Sequence, residues 1–203
     1  MPKQSPVEQL HAEYARLHDQ PPSTLTPDQR RALTFYKCEM ASHGGAEIPD
    51  AVPRDVADWI SNLFALESFV GGEGRLPREN RRLPAGAIST EEKQRTHSVR
   101  AQRRAFAAGR LCTYQVQRLL CVPAFSFHPL EDAWQANRVA YADFTATHWD
   151  APKLRSTDAS ERALARWAAK MRLAYRAGTL SADRVETLTG LDFWTWGAPS
   201  RRD

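Results

Sequence analysis

The clearest indication of the fold comes from residues 167–196, WAAKMRLAYRAGTLSADRVETLTGLDFWTW. Its first part spaces apolar residues three or four positions apart, as an amphipathic helix does, and lacks the alternation typical of a strand. Gly178 follows at a position where a helix C-cap favours glycine, and a second short helix is predicted from Ser181. The pattern predicts two helices joined by a tight turn. We expect one helix face to be buried: Leu164, Trp167, Met171, Ala174 and Tyr175.

The same pattern occurs upstream as SVRAQRRAFAAGRLCTYQVQRLLCVPAFSF, residues 98–127, and aligns at a constant offset of 69. Before these stretches the offset is 75, and a single six-residue insertion explains the change. The loop that contains the insertion is predicted to be LPAGAIS, residues 83–89. The sequence therefore contains an internal repeat. Its clearest pairs are Trp59/Trp134, Asn62/Asn137, Pro77/Pro152, Arg103/Arg172, Gly109/Gly178 and Leu119/Leu188.

Each copy is predicted to fold as three helices. The second helix of each copy opens with capping-box spacing, Ser89 with Glu92 and Asp158 with Glu161. A glycine ends that helix, and the third helix follows directly. Since strand patterns are nearly absent, the fold class is predicted to be all-α.

The predicted domain organisation is two tandem three-helix-bundle repeats, residues 58–129 and 130–203, behind an N-terminal helical segment, residues 1–57. Within that segment, TLTPDQRRAL (24–33) aligns with TLSADRVETL (179–188). This alignment raises the alternative that the segment is a decayed or truncated earlier copy.

The two copies resemble the helicase-associated domain. Its pattern is a leading Trp, an aromatic residue and a Pro, then W-x-x-x-x-R-x-x-Y-x-x-G-x-L and a closing aromatic-x-Trp, which residues 167–196 follow closely. The first copy departs from it, with Ser98 in place of the second-helix Trp and Phe127 in place of the last. The resemblance implies a three-helix module, found in tandem and often behind helicase motors in actinobacterial, plasmid and viral proteins, that binds nucleic acid.

No helicase motor accompanies these copies. The sequence contains no G-x-x-x-x-G-K-[ST], and GGEGR (71–75) lacks the Lys-Ser/Thr end of a phosphate loop. We therefore expect a free-standing repeat protein, and the resemblance suggests an accessory role in a phage, plasmid or mobile element.

Basic side chains of the second and third helices are the candidates for contact with double-stranded DNA. Residues 58–129 have a net charge of +5, residues 130–203 of +1 and residues 1–57 of −2, so the first copy is expected to carry most of the electrostatic attraction. A solvated basic face is the alternative for any such run. The candidate nucleic-acid-binding residues are Arg100, Arg103, Arg104, Arg110, Gln115, Gln117, Arg118, Arg166 and Lys170.

These candidates are assigned different tasks. Arg100, Arg104 and Arg118 are predicted to contact phosphates, and Gln115 and Gln117 base edges, because the third helix of the first copy is expected to expose them to a groove. Arg103 shares a repeat position with Arg172, which favours a structural role for both. The tryptophans are assigned to the core, apart from Trp149, which is predicted to be an exposed loop residue.

An enzyme is not expected. The histidines lack metal-ligand spacing, no G-x-S-x-G elbow is present, and no two acidic residues are held together by helix spacing in an apolar setting, so no catalytic residue, metal or cofactor is predicted. No segment is apolar enough to span a membrane and the first residues resemble no signal peptide, from which we expect a cytoplasmic protein.

Two functions stay open at this point. The first is a non-enzymatic DNA-binding protein. The second is a protein-binding adaptor or inhibitor that docks on a nuclease, helicase or replication protein, which the modest net charge of +4 favours. Binding to DNA that weakens with salt would distinguish the first function from the second.

Overall fold

The computed structural model describes residues 4–43, 52–78 and 87–197 of the chain. Every regular element in those ranges is helical, which confirms the predicted all-α class. A short 3-10 turn, Pro22–Thr24, separates the first two helices. The α-helices are α1 Pro6–His18, α2 Pro27–His43, α3 Arg54–Glu73, α4 Thr90–Ala107, α5 Thr113–Leu120, α6 Pro129–His148, α7 Ala159–Arg176 and α8 Ala182–Thr189.

The helix ends follow the sequence signals. The Ser89 hydroxyl accepts a hydrogen bond from the Glu92 N–H at the start of α4, and the Asp158 carboxylate caps α7 through the Ser160 N–H. Gly109 and Gly178 have φ of 63° and 68°, so each terminates its helix in the left-handed conformation that the sequence predicts. Of the predicted loop 83–89, residues 83–86 lie outside the described residues.

The chain divides into two compact units, Met1–Phe127 and His128–Asp203. In the first unit, α1 and α2 pack against α5, and α2 also packs against α3. Their apolar side chains join one core with those of α3 and α5. The helices of residues 4–43 are therefore an integral part of the first unit, and they cover one of its faces.

The second unit is smaller. Its core consists of residues from α6, α7, α8 and the segment after α8, with Trp134, Tyr141, Leu188 and Trp194 buried in it. Trp167 packs against them half-buried. The prediction that Tyr175 is buried is wrong: the side chain is 42% exposed, because it lies at the edge of the core against the ring of Trp196.

The two copies repeat the same contacts. The Glu92 carboxylate accepts the Arg78 N–H at 3.1 Å, and the Glu161 carboxylate accepts the Lys153 N–H at 2.8 Å. Each pair joins the loop before the second helix to that helix. Matching aromatic contacts recur as well, Phe106 on Phe127 at 4.1 Å and Tyr175 on Trp196 at 4.2 Å between ring centroids. The alignment of the sequence thus corresponds to shared local structure in both copies.

None of the helices in the described parts of the chain is long and apolar enough to cross a membrane.

Candidate nucleic-acid interface

The exposed face of α4 is a row of basic side chains. Residues 93–130 contain seven Lys and Arg residues and no acidic residue. Lys93 is the first basic residue of α4. A helix advances 100° per residue, so positions 93, 97, 100 and 104 lie within about 60° of one another on its circumference. All four side chains are exposed: Lys93, His97, Arg100 and Arg104. Arg110 is exposed just after the helix. We call the four α4 residues the α4 stripe.

The stripe contains two of the predicted phosphate contacts, Arg100 and Arg104. His97 completes it, although no nucleic-acid contact is predicted for that residue from the sequence. Its spacing of i+4 from Lys93 and i−3 from Arg100 was the signal that could have identified it. Arg104 forms no ion pair with any residue that the structure describes, so its charge is directed to solvent.

The second unit has a shorter counterpart on α7. Residues 162–182 contain five basic residues and no acidic one. Arg166 and Lys170 are exposed one helical turn apart, and neither forms an ion pair within the described ranges. Arg162 lies on the same face but donates to the carbonyls of Ser156 and Thr157, so it also fastens the loop before α7. The predicted residues Arg166 and Lys170 are therefore placed together.

Arg103 has a structural role. Its Nε donates to the Ser126 carbonyl at 2.8 Å, and its guanidinium lies over the Phe125 ring. Arg172 makes the equivalent contacts with the Thr195 carbonyl at 2.6 Å and with the Trp194 ring. Burial, and then the nearby charge of Arg100, lowers the pKa of Arg103. Both arginines fasten the closing aromatic segment of their unit to its second helix.

The prediction that Arg118 contacts phosphate is wrong. The residue is 1% exposed, because α1 and α2 cover α5. Its Nε donates to Glu39 at 2.8 Å, and its two terminal nitrogens form a bidentate pair with Glu67 at 2.7 and 2.8 Å. Burial opposes the charge, but the hydrogen bonds to Glu67 and the charge of Glu39 outweigh it and raise the pKa of Arg118. Arg118 therefore joins three helices inside the first unit.

The glutamines of α5 are also turned inward, which corrects the assignment of α5 as a groove-reading helix. The Gln115 side chain is buried and accepts the Cys112 N–H at 3.1 Å, so it caps the helix instead of reading a base. Tyr114 is buried with its hydroxyl on Glu39, and Gln117 is half-buried and accepts the Tyr14 hydroxyl. The helix of the second unit that corresponds to α5, α8, is more open.

The open face of α8 is not basic. Asp183 and Glu186 are exposed on it, and their charge repels phosphate. Arg184, its one basic residue, pairs with Glu131 and lies over the Trp134 ring. Neither third helix therefore presents the basic, polar face that reading a DNA groove needs.

Other reactive groups are few. Burial raises the pKa of the Cys38, Cys112 and Cys121 thiols, which keeps them protonated at neutral pH. Among the residues that the structure describes, no three His, Cys, Asp or Glu side chains are grouped so that they could hold a metal ion.

Comparison with known protein families gives a match in the second unit. No curated protein and no solved structure matches the chain significantly. A family model does match, over residues 131–196, from the start of α6 to the last of the closing aromatic residues. The resemblance is thereby confirmed for the second unit: residues 131–196 match the helicase associated domain family.

Proposed function

We propose that the chain is a non-enzymatic DNA-binding protein that contacts the phosphate backbone with the exposed faces of α4 and α7. The observation that carries the proposal is the separation of charge along the chain. In each copy the second helix has exposed cations. No acidic residue occurs in residues 93–130 or in residues 162–182. Phosphate contact is the function that such surfaces serve most directly, because bound cations displace the counterions that surround DNA.

Unpaired cations strengthen the proposal. Arg104, Arg166 and Lys170 have no carboxylate partner among the described residues. Residues that already pair with a carboxylate, such as Arg75 with Glu92, would have to exchange one anion for another on binding. Exposed, unpaired side chains avoid that exchange.

The first unit is expected to contribute more binding energy than the second. Its α4 stripe has three Lys and Arg side chains beside His97, whereas the exposed pair on α7 has two, and Leu173 occupies the α7 position that matches Arg104. Contacts of this kind position a protein on DNA and carry no base sequence information. We therefore expect duplex binding with little sequence preference.

Fluorescence anisotropy with a labelled random-sequence duplex tests the proposal. Two double variants, Arg104→Ala/Arg110→Ala and Arg166→Ala/Lys170→Ala, are compared with Arg16→Ala/Lys37→Ala. The control removes the same charge from exposed positions of α1 and α2. Both test variants should bind more weakly and with a shallower salt dependence, the first more so. Equal affinity for all three variants, or no binding by the wild type, would reject the proposed interface.

One observation favours the second candidate, a protein-binding adaptor. The second unit exposes several large apolar side chains, including Leu130 and Leu173. Exposed apolar surface of this kind marks protein interfaces when it is contiguous. A nuclease, helicase or replication protein is the class of partner that this candidate implies. Complex formation with such a protein that is insensitive to salt, together with a failure to bind DNA, would support the adaptor.

A further inference from the structure

Trp149 ends α6 in a conformation that a bulky residue rarely adopts. Its φ is 53° and its ψ is 32°, in the left-handed region, and its N–H donates to the Thr145 carbonyl at 3.0 Å. The matching residue of the first copy, 75 positions earlier, is Gly74, with a φ of 64° and an N–H bond to Val70 at 2.9 Å. The two helices end in the same way. The first copy uses the residue that this backbone favours, whereas the second copy uses tryptophan.

The Trp149 side chain gains little from the fold in return. It is 80% exposed, and no ring contact joins it to another aromatic residue in the described parts of the chain. The neighbouring His148 ring, in contrast, stacks on Phe144 with 4.1 Å between centroids. A strained backbone that presents a large exposed aromatic ring is an outlier for which stability offers no reason.

Hydrogen bonds fix the backbone of the loop after Trp149. The Ala151 N–H donates to the Asp150 carboxylate at 2.7 Å, and the Lys153 N–H donates to Glu161 on α7 at 2.8 Å. Together with the Trp149 N–H bond to the Thr145 carbonyl, the bond to Glu161 ties the backbone of the short loop to α6 at one end and to α7 at the other. A ring on a fixed loop loses little freedom when a ligand stacks on it.

The loop after Trp149 contains two cations between two carboxylates, Asp150 and Asp158, and one of the cations is left without a partner in the described part of the chain. Residues 151–157 contain Lys153 and Arg155 and no acidic residue. Lys153 pairs with Asp150 at 2.7 Å, whereas Arg155 is exposed and forms no ion pair among the residues described. An exposed aromatic ring with an unpaired arginine six positions away matches how proteins hold single-stranded nucleic acid, by base stacking and backbone attraction together.

We propose that Trp149 is a stacking platform for an unpaired nucleobase, so that the chain binds DNA with unpaired bases more tightly than fully paired duplex. This inference rests on the proposed DNA binding and names the form of DNA. Bases inside a duplex are already stacked on their neighbours, and only unpaired ones can offer a free face to the ring.

The test compares Trp149→Gly with the wild type on two labelled DNAs, a paired duplex and a duplex with a gap of about ten unpaired thymidines, a length within known single-strand sites. Glycine restores the residue of the first copy and should not lower the melting temperature. Affinity for the gapped DNA should fall about tenfold, the loss expected for one stacked base, while duplex affinity stays unchanged. Leu154→Ala removes another exposed apolar residue of the loop and should change neither affinity.

Other outcomes overturn the inference. If Trp149→Gly binds gapped DNA with the affinity of the wild type, the ring does not stack on unpaired bases. The same conclusion holds if its affinity falls equally for gapped and paired DNA. Neither result rejects duplex binding by the α4 and α7 surfaces. A fall in melting temperature would show that Trp149 stabilises the fold instead. If the wild type binds neither DNA, the proposed function fails and the inference fails with it.

Discussion

Replacing Arg118 by Met should destabilise the first unit severely. The substitution keeps an unbranched apolar stem in the core but removes the guanidinium that three hydrogen bonds tie to Glu39 and Glu67. Glu39 is fully buried, so its carboxylate would keep the Tyr114 hydroxyl and the His11 ring, whose Nε2 lies 3.5 Å away, and would lose its arginine. The destabilisation comes from a buried charge left without its main partner.

The magnitude follows from that geometry. Breaking a buried ion pair by removing one partner costs about 3–5 kcal/mol. For a unit of 127 residues, each kcal/mol lowers the melting temperature by about 3–4 °C. We therefore expect the melting temperature of the first unit to fall by about 10–20 °C.

Thermal unfolding followed by circular dichroism measures this effect. Arg104→Met provides the control, because Arg104 is exposed and unpaired, and its change should stay within about 0.5 kcal/mol. The double variant Arg118→Met/Glu39→Gln should recover part of the loss, since the stranded charge is removed. A cost below about 1 kcal/mol for Arg118→Met, or a double variant no more stable than the single one, would refute the buried-charge reasoning.

Two further substitutions probe the helix ends and the pH dependence. Gly178→Ala should cost about 1 kcal/mol because φ is 68°, whereas Gly190→Ala, at φ −79°, should be neutral or slightly stabilising; chemical denaturation compares the two, and equal effects would contradict the left-handed cap. The hydrogen bond from Arg75, and then the Arg78 N–H, hold the pKa of Glu92 below its ordinary value, so its stabilisation is present above the unfolded pKa of about 4.3 and is lost as the pH falls through the folded pKa. Melting curves from pH 7 to about pH 3 should therefore show the wild type losing its advantage over Glu92→Gln in acid, and a constant difference would contradict the assignment.

Local signals in the sequence predicted the helices well. Helices begin at Ser89 and Asp158 because each side chain accepts a hydrogen bond from a backbone N–H two or three residues later. Helices end at Gly109 and Gly178 because glycine adopts the positive φ of the cap. The exposed position of Trp149 also followed from its place in a loop, outside the helical pattern. Such features depend on neighbours along the chain, which the sequence shows directly.

The role of α5 could not be predicted in the same way. Arg118 and Gln115 have the residue types of a DNA-reading surface, and only the packing of α1 and α2 over α5 turns them inward. The partners of Arg118 lie 79 and 51 residues away in the sequence. The local sequence does not distinguish a buried arginine from an exposed one, because the difference depends on such distant partners. The position of Tyr175 has a similar origin, since the Trp196 ring that packs against it comes from the closing segment, 21 residues later in the sequence.

The salt dependence of duplex binding tests directly whether the basic residues of α4 and α7 contact DNA phosphates. Affinity is measured over a series of salt concentrations for the wild type and for Arg104→Ala/Arg166→Ala/Lys170→Ala, which removes three exposed, unpaired cations from α4 and α7. We expect wild-type binding to weaken steeply with salt, and the salt slope of the variant to be smaller by about one for each phosphate contact that it loses. A triple variant with the affinity and the slope of the wild type would contradict this expectation.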